Sequence, residues 1–202
     1  MPARETEKHH QIMTAAAALF ARQGYRKTTV DEIVAAAGIS KGLFYHYFEN
    51  KKTLYIALYN AYVDIFSRCL REQVNTAEPD FFERLRQLTR LRIDFITAYP
   101  SLWDFLYAAY YEEHPDVLPA IKAKNEALLQ NSHAGSAAGI DWSRLKKGLS
   151  PDRAIELITW VADGFVRKAA AAPETDKTVL YAQFEEYFDY LKSGMYTCGE
   201  DM

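Results

Sequence analysis

The stretch Thr28-Thr29-Val30-Asp31-Glu32-Ile33-Val34-Ala35-Ala36-Ala37-Gly38-Ile39-Ser40-Lys41-Gly42-Leu43-Phe44-Tyr45-His46-Tyr47-Phe48-Glu49-Asn50-Lys51 decides the fold. Thr29 to Glu32 has the spacing of a capping box, in which the Thr29 hydroxyl accepts from the Glu32 amide and the Glu32 carboxylate reaches back. The helix so opened is short. It turns Ile33, Val34 and Ala37 inward and stops at Gly38. Ser40 then caps another helix after a turn of a few residues. Two short helices joined by a tight glycine-bearing turn are the helix-turn-helix pattern. At about 100° per residue, Lys41, Gly42 and Tyr45 share an arc of roughly 100°, and Phe44 lies about 200° from Gly42, toward Ile33 and Leu19. The outward arc offers a cation, a bare backbone and a phenol, with His46 beside it. Such groups suit a DNA groove: attraction to phosphate, close approach and hydrogen bonding.

On the amino-terminal side, Ile12, Ala16, Leu19 and Phe20 recur at helical spacing, with Gly24 where a left-handed cap belongs. On the carboxyl side the helices lengthen. Leu54, Leu58, Val63, Phe66, Leu70 and Val74 predict a helix over 52–74, followed by helices over 80–99, 101–113 and 116–133. Pro100 and Pro115 separate these, because a residue before proline is pushed out of the α region. Residues 134–139 read as a small-residue loop, and 140–149 fit either helix or loop. Ser150-Pro151 opens a helix to Ala172, and Thr175 to Met195 forms the last. The expected fold is all-α: a three-helix head over 1–51, then a larger helical bundle over 52–202, about nine helices in all.

The chain has 202 residues, 49% of them hydrophobic, and a net charge of -3. Residues 1–52 carry 8 Lys and Arg against 5 Asp and Glu, whereas the remainder carries 16 against 22. A basic head on an acidic body suits nucleic-acid binding, since neutralised phosphates release counterions. No apolar run reaches the roughly 18 residues of a spanning helix, so no membrane partner is expected. The polar opening, Pro2 to His10, lacks the apolar core of a secretory signal. Cys69 and Cys198 form no CxxC pair, and a reduced, cytoplasmic setting is the simplest reading. His9, His10, His46, His114 and His133 make no HxxxH pair, so neither metal nor cofactor is expected. Glu112-Glu113-His114 precedes Pro115 and reads as a solvated helix end. Gly135 to Gly139 is not a GxSxG elbow, and no phosphate-binding loop occurs. These absences disfavour an enzyme.

The quoted segment, extended back to Leu19-Phe20 and Gly24-Tyr25 and forward to Leu54, resembles the DNA-binding segment of the TetR family of repressors. The resemblance covers about a quarter of the chain. It implies a homodimer whose recognition helices enter successive major grooves of a double-stranded operator. It also implies an effector pocket in the middle helices and a dimer interface from the last two. Carried over by position, Thr29 and Lys51 match phosphate contacts, Lys41 and Gly42 match recognition-helix contacts to DNA, and Ser40 just before them is expected to bind DNA as well. Tyr45, His46 and Tyr47 match the ring positions that touch backbone or bases. This chain departs from the pattern at Leu43, which can touch a thymine methyl but not hydrogen-bond a base edge. It departs again at Tyr47, where the family often has His.

The body is rich in aromatic residues. Tyr62, Phe66, Phe95, Tyr99, Trp103, Tyr107, Tyr110 and Tyr111, with Phe105, fit either a filled core or the lining of a pocket for a small apolar or aromatic effector. The resemblance favours the pocket, and Asp104 and Glu112 nearby would suit a cation. In the last two helices, Ile158, Val161 and Phe165 with Phe184, Tyr187, Phe188 and Leu191 are the expected dimer interface, since they exceed what a monomer leaves to solvent. Two alternatives stand beside the ligand-released repressor. One is a helical carrier or enzyme with a vestigial helix-turn-helix; the other is a DNA-binding activator or architectural protein without an effector.

Overall fold

The computed structural model describes residues 2–136, 139–171 and 176–197. Among them the helices are α1 (Pro2–Lys27), α2 (Val30–Ala37), α3 (Lys41–Tyr47), α4 (Lys51–Gln73), α5 (Phe81–Ala98), α6 (Pro100–Tyr110), α7 (Leu118–Ser136), α8 (Pro151–Ala171) and α9 (Lys177–Met195). A 3₁₀ turn covers Trp142–Arg144, and the only pairing of extended chain among the described residues is one bridge between Leu145 and Tyr196. The all-α expectation holds, and the undecided 140–149 segment is mostly irregular chain. Differences lie at helix ends. Pro100 opens α6 instead of preceding it, as a missing N–H is harmless in a first turn. The loop expected from 134 begins later, since α7 runs to Ser136, while Ala137, Ala138, Pro173 and Thr175 lie outside the described residues.

Two compact units form: Met1–Gln73 with Asp94–Gly135, and Val74–Ile93 with Ser136–Met202. In the first, α1 packs on α2, α4 and α6. Its core joins Ile12, Ala16, Phe20, Ile33 and Phe44 to Leu54, Tyr55, Leu58, Phe105 and Val117, all essentially inaccessible to solvent. The head is therefore not a separate globule. Its hydrophobic faces are completed by α4 and α6, which a helix bundle of some fifty residues needs, because so short a chain buries too little surface by itself. Tyr59 is buried there and its hydroxyl donates to Asn125 Oδ1 at 2.6 Å, with burial raising its pKa to about 12.

The second unit is organised around one buried carboxylate. Asp80 Oδ1 accepts from Phe82 N at 2.9 Å and Glu83 N at 3.2 Å, which caps α5, and from the Tyr196 hydroxyl at 3.3 Å. Its other oxygen pairs with Arg144 and, at 3.4 Å, with Lys192. Phe81, Phe82, Ile158, Phe184, Phe188 and Tyr196 pack around this network. Burial works against the charged carboxyl, but the Glu83 amide, Lys192 and Arg144 outweigh it and hold the group below its ordinary 3.8. The stability Asp80 contributes is thus complete above pH 3.8 and lost as pH falls through its lower folded value. Asp80→Asn should cost about 1–3 kcal/mol at neutral pH and flatten the acid limb of stability. Urea unfolding at a series of pH values checks this; a variant with the wild-type acid limb would place the titration elsewhere.

Candidate nucleic-acid interface

The helix-turn-helix is fixed by its own short-range chemistry. Thr29 Oγ1 accepts from Glu32 N at 3.2 Å, and the Glu32 carboxylate accepts from Thr29 N at 2.8 Å, completing the capping box. Glu32 also receives the Thr29 hydroxyl and, at 3.2 Å, Gln23 Nε2. The Thr29 amide first, then these two donors, hold its carboxyl below the usual value. Gly38 ends α2 at φ 62° and ψ 41°, a left-handed cap. Ser40 caps α3 by accepting from Leu43 N at 3.2 Å. Phe44 is fully buried with Ile33, so α3 is held by one face and presents the other.

On that outer face Thr29, Ser40, Lys41, Gly42, Tyr45 and His46 are exposed, while Tyr47 and Lys51 are half-buried. The Tyr45 ring meets Phe44 edge-on at 5.3 Å and keeps half its surface in solvent. Tyr47 stands between the rings of His9 on α1, at 5.6 Å, and His46, at 5.3 Å. Gly42 carries the most telling geometry. A Cβ there would meet only Ser40 Oγ, at 4.0 Å, so the fold itself does not need a glycine. Gly42 stands exposed in the first turn of α3, and without a side chain it leaves the backbone of this face open to close approach.

Lys51 is placed differently from the sequence expectation. Its ammonium donates to the carbonyls of Tyr25 and Thr28, at 2.8 Å each, and lies 4.4 Å from the centre of the Tyr25 ring. Burial lowers its pKa, although Asp116, Glu112 and Glu32 pull the other way. Two of its three N–H bonds are thereby spent inside the protein. Glu112, read from sequence as a solvated helix end, is the other half of this joint. Its Oε2 accepts from Tyr25 N at 3.1 Å, and its Oε1 from His114 N at 2.9 Å. His114 meets the Tyr25 ring at 4.9 Å. The turn at Gly24, with φ 76°, is therefore gripped by the start of α4 and by the residues just after α6. No local pattern announces a bond across 87 residues; only a carboxylate just after a helix, facing a left-handed glycine, hints at it.

The eight aromatic residues expected around an effector are brought together in part, and they touch one another. Phe66 meets Phe95 at 4.9 Å and Trp103 at 5.8 Å, and Tyr62 meets Phe105 at 5.7 Å. Phe95 meets Tyr99 at 5.1 Å, and Tyr111 meets both Tyr107 and Tyr110 at 5.0 Å. Tyr99 and Tyr110 are half-exposed, whereas Phe95 is buried. An open groove between α1 and α6, lined by Ala18, Ala21, Arg22, Asp104, Tyr107 and Ala108, includes only Tyr107 of the eight. Among the expected interface residues, Ile158, Phe184 and Phe188 point into the second unit's own core. Phe165 and Leu191 pack against that core, Val161 is half-buried and Tyr187 is exposed. Among the described residues of α8 and α9, the large apolar side chains that are exposed are Leu157, Trp160, Val179, Tyr187 and Tyr190. The seven-residue expectation picked the strongest hydrophobes, and the core claims those first.

Residues 12–58 match the family model of bacterial regulatory proteins, tetR family. The chain is 31% identical over 121 residues to the HTH-type transcriptional activator FasR of Mycolicibacterium smegmatis, a match covering 60% of this chain and 55% of that one. The chain thus spans about half, or less, of the curated relatives it matches. The fatty acid degradation regulator FadR from Bacillus halodurans superposes with a TM-score of 0.74 at 23% identity, over 92% of this chain and 98% of that one. FadR from Bacillus subtilis, in complex with stearoyl-CoA, superposes with a TM-score of 0.69 at 20% identity, over 93% and 100%. At such identity these two likenesses establish the fold.

The Lys51 geometry carries its own test. Lys51→Ala should lower stability by about 1–3 kcal/mol, since it strips the Tyr25 and Thr28 carbonyls of a charged donor. Thermal unfolding without DNA measures it. An unchanged melting temperature would refute this structural role for Lys51.

Proposed function

Because the chain belongs to the TetR family of bacterial regulatory proteins, we propose that it binds a palindromic DNA operator as a homodimer, represses transcription there, and is released by an apolar effector. One observation carries the DNA reading: the exposed face of α3 holds Lys41, a glycine the fold does not need, Tyr45 and His46, on a helix anchored by buried Phe44. Thr29, Ser40 and the remaining Lys51 donor flank it as phosphate contacts, and Tyr47 is held at its edge. Residues 1–51 act as the DNA-binding region and 52–202 as the effector and dimer region, although the head shares its core with α4 and α6.

Dimerisation is supported by the outward face of α8 and α9. Trp160 and Tyr190 are 63% and 67% exposed, and Leu157, Val179 and Tyr187 join them. Large apolar side chains gathered on adjacent helices mark an interface, and a two-fold axis would bury both copies at once. Val161, Phe165 and Leu191 border this face; Ile158, Phe184 and Phe188 support it from beneath. Selection from a random-sequence DNA library should yield an inverted repeat whose half-sites match two heads. The pair Trp160→Glu with Tyr190→Glu should give a folded monomer by light scattering and circular dichroism, with affinity for the full repeat lost. A dimeric double variant would refute the α8–α9 face.

Release is supported by where two helices end. Those carrying much of the aromatic band, α4 and α6, lead to Lys51 and Glu112, and both of these hold Tyr25. An effector that parts Tyr62 and Phe66 from Phe105 and Trp103 would strain that corner, and with it the seat of α2 and α3. A coupling of 1–3 kcal/mol weakens DNA binding roughly 5–150-fold, and operator weakens effector binding equally. A thermal-shift screen of aromatic and long-chain acyl compounds should find a stabiliser, and its titration with and without operator should give two different affinities. Equal affinities would remove the release mechanism. The likeness to a protein named as an activator favours a second reading, in which the bound protein raises transcription; transcription in vitro from the selected operator, with and without protein, separates the two.

A further inference from the structure

Asp31 stands in the first turn of α2 and Lys41 is the first residue of α3. Across the intervening turn, Asp31 Oδ1 lies 2.7 Å from Lys41 Nζ, with the two side chains 72% and 53% exposed. The neighbouring acid, Glu32, is consumed by Thr29 and Gln23, so Asp31 is left to face the cation. An ion pair this exposed contributes little to folding. Nor does Lys41 benefit α3, whose first turn carries no acid, since a cation is unfavourable at the positive end of a helix. Lys41 thus sits at local cost on the same outward face as Gly42. A negative charge at that face also opposes every phosphate that comes near, which makes its placement expensive for a DNA-binding surface unless it returns something.

We infer that Asp31 is a specificity-determining residue of the DNA face, one that positions the Lys41 ammonium for a base edge and withholds it from phosphate. The inference rests on the proposed DNA-binding function. On an unrelated sequence, where affinity comes from phosphate neutralisation, Lys41 must leave Asp31 to reach the backbone, and the carboxylate is then left beside phosphates. On the operator, the pair stays intact: Asp31 holds one N–H of Lys41 and the others point to paired acceptors such as guanine O6 and N7. The same carboxylate therefore penalises the wrong complex more than the right one, which is how a repulsive element produces selectivity. Asp31 acts through Lys41 and need not itself touch DNA.

The test uses the full-length protein, the duplex it selects from a random library, and a scrambled duplex of equal length. Asp31→Asn should tighten binding to the scrambled duplex by about threefold to tenfold and steepen its salt dependence by about one unit per head. Affinity for the selected duplex should stay level or fall, and reselection should show relaxed preference at one base pair in each half-site. The gain should vanish in the Lys41→Ala background, and Asp31→Glu should restore discrimination. Glu49→Gln removes a charge from another exposed head position and serves as the control. Equal tightening on both duplexes, as in that control, would show a plain charge effect and overturn the assignment. A lowered melting temperature with unchanged discrimination would reduce Asp31 to a staple between α2 and α3, with the same consequence. Wild-type protein that enriches no sequence would overturn the regulatory reading and this one together, whereas enrichment without an Asp31 effect overturns this one alone.

Discussion

The joint at Tyr25 is the constraint on which the first unit depends. A left-handed turn at Gly24 exposes an amide and two carbonyls that no helix satisfies. Unpaired backbone groups at a partly buried corner cost about 1–3 kcal/mol each, so partners have to be brought to them. Glu112 takes the amide and Lys51 takes the carbonyls, with Tyr25, Tyr55 and His114 rings closing over them. Opposite charges, one from the first turn of α4 and one from just after α6, thereby meet on one turn of the head. The helix-turn-helix owes its local shape to its caps, but its seat on α4 and α6 to this joint.

The same economy governs the aromatic band. Tyr62 meets Phe105 and Phe66 meets Phe95 edge to face, while Phe66 and Trp103 are tilted, a packing that gains dispersion and quadrupole energy without a guest. Under the proposed release, an effector would have to offer more than these contacts return, which an apolar molecule long or flat enough to replace several ring faces together would do. In the second unit a comparable hub is polar. Asp80, capping α5 while gathering Arg144, Lys192 and Tyr196, ties segments more than a hundred residues apart.

Competition for burial explains where expectation and structure part. Hydrophobicity ranks Ile158, Phe184 and Phe188 as interface residues, yet a helix pair must first cover its own core, and these three do so. The large residues left outward include Trp160, Tyr187 and Tyr190, amphipathic rings that tolerate water. Lys51 shows the same logic in polar form: a lysine near a DNA face reads as a phosphate ligand, but an unsatisfied carbonyl close by has the prior claim.

Sequence alone determined the helix-turn-helix, its capping box, the left-handed Gly38, the buried Phe44 and the exposed Lys41-Gly42 and Tyr45-His46 surface, because each follows from bonds and periodicities within a few residues. It likewise determined the all-α class and most helix boundaries, through period and proline placement. Only the tertiary structure decided that Lys51 and Glu112 meet at Tyr25, that the aromatic band closes on itself, and which faces of α8 and α9 look outward. Those outcomes depend on which distant group arrives first to satisfy a given amide, carbonyl or ring, and chain-local patterns hold no record of that competition.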